Sequence, residues 1–457
     1  MKNKWLFITT AIVLVATLST LITVFALSGN YNGSNSNTVV DSSIEVNERD
    51  VDWNDYSTTD LTTSNNEDVN ITCEGVYTLT GTINGKVIIN TSGNVKIILD
   101  NVTINSENGP CILVQEADNV TIEMKDGSTN TLTDSTNYNG YEEEDATIFS
   151  HDDLELIGNG TLIINAKYAD AIVSKDDLTI TSGTYKITSV DDAIRGKDSV
   201  YIIDANITIN AKGDGIKSTN EIEADKGYIL IENGTFNITS VNDAIQAVTK
   251  LVIKAGEFTI KTTGNANSDT AKGLKAEKVI NIVGGTFNIT TTDDGIHTNG
   301  DIVIDGGNIT INSNDDAVHA DGLLEVNNGT LNLTAHEGLE ATYVKINDGT
   351  INISASDDGI NAGNKSNNYK TMIEINGGNI TIKMGQGDTD GVDSNGDIII
   401  NGGTINVTGQ STFDYDGTGK INGGTVICNG EKVTTLPNQM MGGGQGGMRQ
   451  QNMQGRR

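Results

Sequence analysis

Apolar and polar residues alternate with period two in short runs along most of the chain, and no helical period survives in the repeated region. The stretch 294–313 shows the unit. It holds three strand-like pieces, GIHT, DIVI and NITIN, each ending at Gly, Asn or Asp turn residues. A phrase of acid, then Ala or Gly, then an aliphatic residue opens the unit and returns roughly every 22 residues. It reads Asp170-Ala171-Ile172, Asp192-Ala193-Ile194, Asp214-Gly215-Ile216, Asp243-Ala244-Ile245, Asp294-Gly295-Ile296, Asp316-Ala317-Val318, Asp358-Gly359-Ile360 and Asp390-Gly391-Val392. Glu337-Gly338-Leu339 keeps the acid, and Lys272-Gly273-Leu274 is the cationic break.

A fixed period of this size is the signature of units that bury their apolar faces by stacking on one another. At about 3.3 Å per residue, one unit gives a perimeter near 70 Å, enough for a three-sided turn filled by side chains. The pattern therefore predicts an all-β chain, folded as a right-handed parallel β-helix of about 22 residues per coil over residues 61–435. A calcium-binding β-roll is excluded because its nine-residue Gly-Gly-x-Gly-x-Asp signature is absent. Residues 61–141 share the strand character without the acid and are expected to form the N-terminal stack. Insertions at 262–269, 363–370 and 385–388 are expected as outer loops.

Composition narrows the partners. The chain has 457 residues, 52 of them Gly and two Pro, with a formal net charge of -32. That charge excludes nucleic acid and points to divalent cations. Three widely spaced cysteines, Cys73, Cys111 and Cys428, imply no disulfide framework and read as buried thiols. Lys2 and Lys4 precede an apolar run from Trp5 to Leu27, so residues 1–27 read as a signal peptide or an uncleaved membrane anchor. Either way the rest is exported, and the membrane is a partner only through that segment. Residues 28–60 read as a polar linker, and residues 436–457 as a disordered Gly/Met/Gln-rich tail. A monomer is expected.

With the acid as position zero, the aliphatic residue at position two should point inward and positions minus one, one and three outward. Ala or Gly at position one then makes the floor of a groove. Position three lines it with Arg195, Lys217, Gln246, Lys275, His297, His319, Glu340, Asn361 and Asp393. Stacked acids repel unless a cation relieves them, and calcium accepts irregular oxygen cages. The candidate calcium ligands are the doubled acids Asp191, Asp192, Asp293, Asp294, Asp315, Asp316, Asp357 and Asp358, followed by the cluster Asp388, Asp390 and Asp393. Equally, an Asp at position zero can cap a turn by accepting backbone N–H groups. His297 and His319 read as part of a polar row lining the groove, with Lys217 and Lys275, more than as transition-metal ligands.

Coil phrase, acidic row, export segment and tail together resemble a clostridial family of secreted carbohydrate-binding β-helix proteins, similar in fold to calcium-dependent pectate lyases. The resemblance implies calcium on the paired acids, and binding of cellulose or polygalacturonate. In the lyases a Lys or Arg beside the calcium removes the proton alpha to the uronate carboxylate; Arg195 and Lys217 are the residues here in that setting. The lyase pattern places a further acid three residues after a paired acid, and Arg195 stands in that place after Asp192. The expected function is thus calcium-dependent, non-catalytic binding of polysaccharide outside the cell or at its surface. A pectate lyase and a structural surface adhesin are the alternatives. Trp5 and Trp53 fall in the export segment and linker, which leaves cellulose to the resemblance alone.

Overall fold

Residues one repeat apart lie side by side. In the computed structural model, which describes residues 43, 44, 46, 51–63, 67–265, 270–386 and 389–438, the aliphatic residues of the phrase pair in unbroken register. Ile172, Ile194, Ile216, Ile245, Leu274, Ile296, Val318, Leu339, Ile360, Val392 and Phe413 follow one another across neighbouring parallel strands. All are fully buried. Each member before Phe413 has an apolar neighbour above and below, so the column forms a continuous core. A second apolar column contains Phe236, Phe258 and Phe287, whose rings stack with centroids 4.6 Å apart and nearly parallel planes. That separation is the spacing of hydrogen-bonded strands, so the backbone dictates the stack.

Turn chemistry repeats with the same register. The Asn347 side-chain amide donates to Asn327 at 2.7 Å, Asn376 to Asn347 at 2.9 Å, Asn401 to Asn376 at 2.8 Å and Asn422 to Asn401 at 2.7 Å. Asp305 accepts from Asn327 at the other end. Beside this ladder the turn glycines Gly307, Gly329 and Gly349 adopt φ near +100 to +116°. A Cβ on Gly329 would lie 3.0 Å from the Gly307 carbonyl oxygen. Glycine is therefore required there twice over, by dihedral and by space.

The expected right-handed parallel β-helix is corrected. The 41 described strands hydrogen-bond into one sheet, in which eight parallel strands close as a barrel and many more lie outside it. The physical reason is that a repeat length specifies which strands pair, while closure and hand are set by the turns between them. Strands Ser199–Ala211 and Tyr228–Ser240, 13 residues each, run without a break where the repeat predicts two pieces. Among the described residues one pairing is antiparallel: Thr425–Cys428 with Glu431–Val433. Asn429 and Gly430 join them, both with positive φ, as a two-residue hairpin turn demands.

The described residues belong to one compact unit, Val40–Arg457. The export segment 1–27, most of the linker 28–60 and the tail beyond residue 438 lie outside the described residues. No described helix is long and apolar enough to cross a membrane. Of the thiols read as buried, Cys111 is so, with its pKa pushed up to about 12 by burial, whereas Cys73 is exposed and Cys428 half-buried.

Candidate functional site

Asp192, Asp214, Asp243, Asp294 and Asp316 lie at the bend that precedes a strand, where period-two alternation does not run through, whereas Asp170, Asp358 and Asp390 are the first residues of theirs. Two expectations change as a result. Position one is not a groove floor: Ala171, Ala193, Ala244 and Ala317 are fully buried, and a Cβ on Gly295 would stand 2.5 Å from the Ile311 side chain. The acids themselves turn partly inward, with Asp170, Asp192, Asp214, Asp243, Asp294 and Asp316 all buried.

At six positions of the row one carboxylate oxygen of the acid caps the next turn. The backbone N–H of Asp192 donates to Asp170 Oδ1 at 2.9 Å, that of Asp214 to Asp192 at 2.8 Å and that of Asp243 to Asp214 at 2.9 Å. Lys272 N–H continues the row onto Asp243 at 2.8 Å, Asp316 N–H onto Asp294 at 3.0 Å and Asp390 N–H onto Asp358 at 3.2 Å. Turn capping thus describes Oδ1 of Asp170, Asp192, Asp214, Asp243, Asp294 and Asp358. The other oxygen, Oδ2, faces position three, and what it meets there varies along the molecule.

In the first half it meets the chain's own cations. The Arg195 guanidinium donates to Asp170 Oδ2 at 2.7 Å and to both oxygens of Asp145 at 2.8 and 3.0 Å. Lys217 Nζ lies 2.6 Å from Asp214 and 3.5 Å from Asp192, and Lys275 Nζ lies 3.6 Å from Asp243. Burial works against the charge on Arg195, but Asp170 and Asp145 outweigh it and hold the pKa above the ordinary value. Lys217 is raised in the same way, by Asp214 and Asp192 against burial. Lys272, only 1% exposed, occupies the place of an acid and pairs with Asp293 at 2.7 Å and Asp294 at 3.6 Å.

The middle of the row is histidine. His297 Nδ1 is 2.8 Å from Asp294 Oδ2; His319 Nδ1 is 2.8 Å from Asp316 Oδ2 and 2.9 Å from Glu340 Oε2. Burial disfavours the charged His319 ring, yet Asp316 and Glu340 hold its pKa up to about 10. Lys365, from the 363–370 insertion, reaches back to Glu340 at 2.7 Å. That insertion was expected as an outer loop, and two of its backbone N–H groups are fixed on Thr342 Oγ1.

In the last part the acids meet other acids. Asp358 pairs in register with Asp390, and Asn361 with Asp393 and then Asp414. Burial, then the charges of Asp393 and Glu337, push the Asp358 carboxyl up to about 8. Burial, then Asp390 and Asp414, raise Asp393 to about 6. Asp388, the remaining member of the expected cluster, lies outside the described residues.

The doubled acids are therefore not equivalent. Asp293 and Asp294 are both buried; Asp192 and Asp316 are buried beside exposed Asp191 and Asp315; Asp357 and Asp358 are both half-buried. Residues 65–317 and 313–436 match the family model described as carbohydrate-binding domain-containing protein. The chain belongs to that family. A carbohydrate-binding domain-containing protein of Acetivibrio thermocellus is 35% identical over 127 residues, 26% of this chain and 44% of the relative. The chain thus spans less than half the length of that relative. Among solved structures, the polysaccharide lyase-like protein from C. thermocellum, in a gadolinium derivative, is 28% identical and is matched over 57% of this chain and 93% of its own. Its TM-score of 0.42 is too low for the likeness to carry an argument.

For a carbohydrate-binding family member, the residues that sequence reading left out are the counter-ions. Asp145 is 50 residues from Arg195 and Lys365 comes from an insertion, and neither carries the repeat. Lys272 did carry a signal, as the single cation in a column of acids.

Proposed function

We propose that this member of the carbohydrate-binding family binds an acidic polysaccharide, of the polygalacturonate type, outside the cell, through calcium held at the C-terminal end of the acid row, without turning it over. The observation that carries the reading is the environment of Asp358 and Asp393, where the neighbouring charges that act on each carboxyl are acids. Such a cluster is relieved by a hard cation with oxygen ligands, and calcium tolerates irregular oxygen cages. Asp357, Asp358, Asp390, Asp393 and Asp414 are the donors in place to hold it. Calcium left with open positions then bridges to uronate carboxylates, which lets an acidic protein hold an acidic glycan.

Arg195 and Lys217 bear on turnover. Abstraction of the proton alpha to a uronate carboxylate needs a neutral base. Both side chains are instead clamped between carboxylates that keep them protonated. Retention on immobilised polygalacturonate with calcium, its loss on chelation, and no gain in ultraviolet absorbance from unsaturated uronides are the expected results. Retention unaffected by chelator overturns the calcium part, and release of unsaturated products overturns the non-catalytic part.

A further inference from the structure

The histidine pair carries an inference of its own, independent of the calcium reading. His297 and His319 stand in register on adjacent strands, Ile296–Thr298 and Val318–Val326, with ring centroids 4.7 Å apart and each side chain 13% exposed. The proton on His297 Nε2 is placed by its neighbours. The Asn299 amide nitrogen donates to the Glu277 carboxylate, which can only accept, so the amide oxygen faces His297 Nε2 at 3.1 Å. That nitrogen is the donor. Nδ1, the nitrogen left to the other side of the ring, faces Asp294 Oδ2, 2.8 Å away.

His319 repeats the arrangement with one more acid. Its Nε2 faces Asp321 Oδ1 at 3.4 Å, while its Nδ1 has Asp316 Oδ2 and Glu340 Oε2 at 2.8 and 2.9 Å. Nδ1 of each ring thus lies against carboxylate oxygens, one on His297 and two on His319, and His319 is shared between the two groups. One ligand atom each from Asp294, His297 and His319 lie within 4.8 Å of one another, as do those of Asp316, His319 and Glu340. A ring whose far N–H is held by a carboxylate or amide oxygen, leaving the near nitrogen to a cation, is the usual support of a metal-bound imidazole. Imidazole with carboxylate suits zinc and its neighbours in the transition series, whereas calcium takes oxygen alone.

We propose that His297 and His319, with Asp294 on one side and the Asp316–Glu340 pair on the other, hold a single divalent ion of the zinc class. Lys272, 3.6 Å from Asp294, and Lys365, 2.7 Å from Glu340, bound the site at its two ends. The ion joins three successive strands, the third being Leu339–Ile346, and acts as a cross-link between them.

Titration of the metal-free full chain with cobalt(II), read by visible absorption, tests this. The expected result is a strong ligand-field band of low-coordinate geometry at one equivalent, bleached by one equivalent of zinc and unaffected by excess calcium. Zinc affinity measured calorimetrically should fall at least tenfold in His297→Asn and in His319→Ala, and about 10–100-fold in Asn299→Ala, which removes the supporting hydrogen bond and leaves every ligand in place. His151→Ala, remote from the pair, should bind as the parent does. Should His319→Ala fail to fold, His297→Asn and the cobalt spectrum of the intact chain still decide. A missing band, displacement of cobalt by calcium, or equal zinc affinity in His297→Asn and the parent overturns the proposal.

Discussion

The two ends of the acid row share a backbone and differ in their counter-ions. From Asp170 to Asp294 the carboxylates face Arg195, Lys217, Lys275 and Lys272 of the same chain. From Asp358 to Asp414 they face one another. Capping of the turns by Oδ1 is common to both ends, so it explains why an acid recurs and not what the acid does. The difference lies in Oδ2. Where the chain supplies a cation, Oδ2 is paired from within, even though burial and neighbouring acids still raise Asp170 to about 7 and Asp214 to about 6; where it supplies none, the proposed calcium would sit.

The largest expected effect follows directly. Asp358→Asn with Asp393→Asn should lower calcium affinity at least tenfold and abolish calcium-dependent retention on polygalacturonate, while Asp192→Asn leaves both unchanged in calorimetry and affinity electrophoresis. Equal losses in the two variants would erase the distinction between the ends. Next, Lys272→Met should convert the first region toward the second. Removing a buried ammonium leaves Asp293 and Asp294 uncompensated, a cost of about 3–5 kcal/mol. Urea unfolding should show that loss, and added calcium should recover part of it; a loss below about 1 kcal/mol contradicts the self-neutralised account.

A pH effect comes third. The Asp358 carboxyl is raised from 3.8 to about 8 in the folded protein, so the folded state binds the proton more tightly than the unfolded chain. The stability this contributes is fully present below pH 3.8 and is lost as pH rises through about 8. Calcium-free protein should therefore unfold at lower urea as pH climbs through that window, and calcium added near neutral pH should release protons. Proton uptake on calcium binding would contradict the assignment. Smallest is Asn347→Ala, which interrupts the asparagine ladder that runs from Asp305 to Asn422 and should cost about 1 kcal/mol with no change in calcium or glycan binding.

Much of this was legible in the sequence because strand pairing and alternation are local. The column of Ile, Leu and Val two residues after each acid could be placed in the core from spacing alone, and it is there. The acid row could be located, but not the direction in which each acid faces, because the bend before Ile194 or Ile216 breaks the alternation on which the inference rested. Asp145 and Lys365 escaped since they reach the row through irregular segments whose paths no period encodes. Closure of the sheet escaped for the same reason. Asn429-Gly430 was a readable hairpin signal in the sequence that the repeat overshadowed.

That hairpin has a consequence for self-association. A stack of parallel strands ends in a row of unpaired amides and carbonyls, a template on which a second molecule could continue the stack. The reversal at Asn429-Gly430 lays Glu431–Val433 antiparallel across Thr425–Cys428, with Glu431 and Lys432 exposed. A newcomer at this edge would meet a short, charged strand running the wrong way, which blunts the edge against continued parallel pairing.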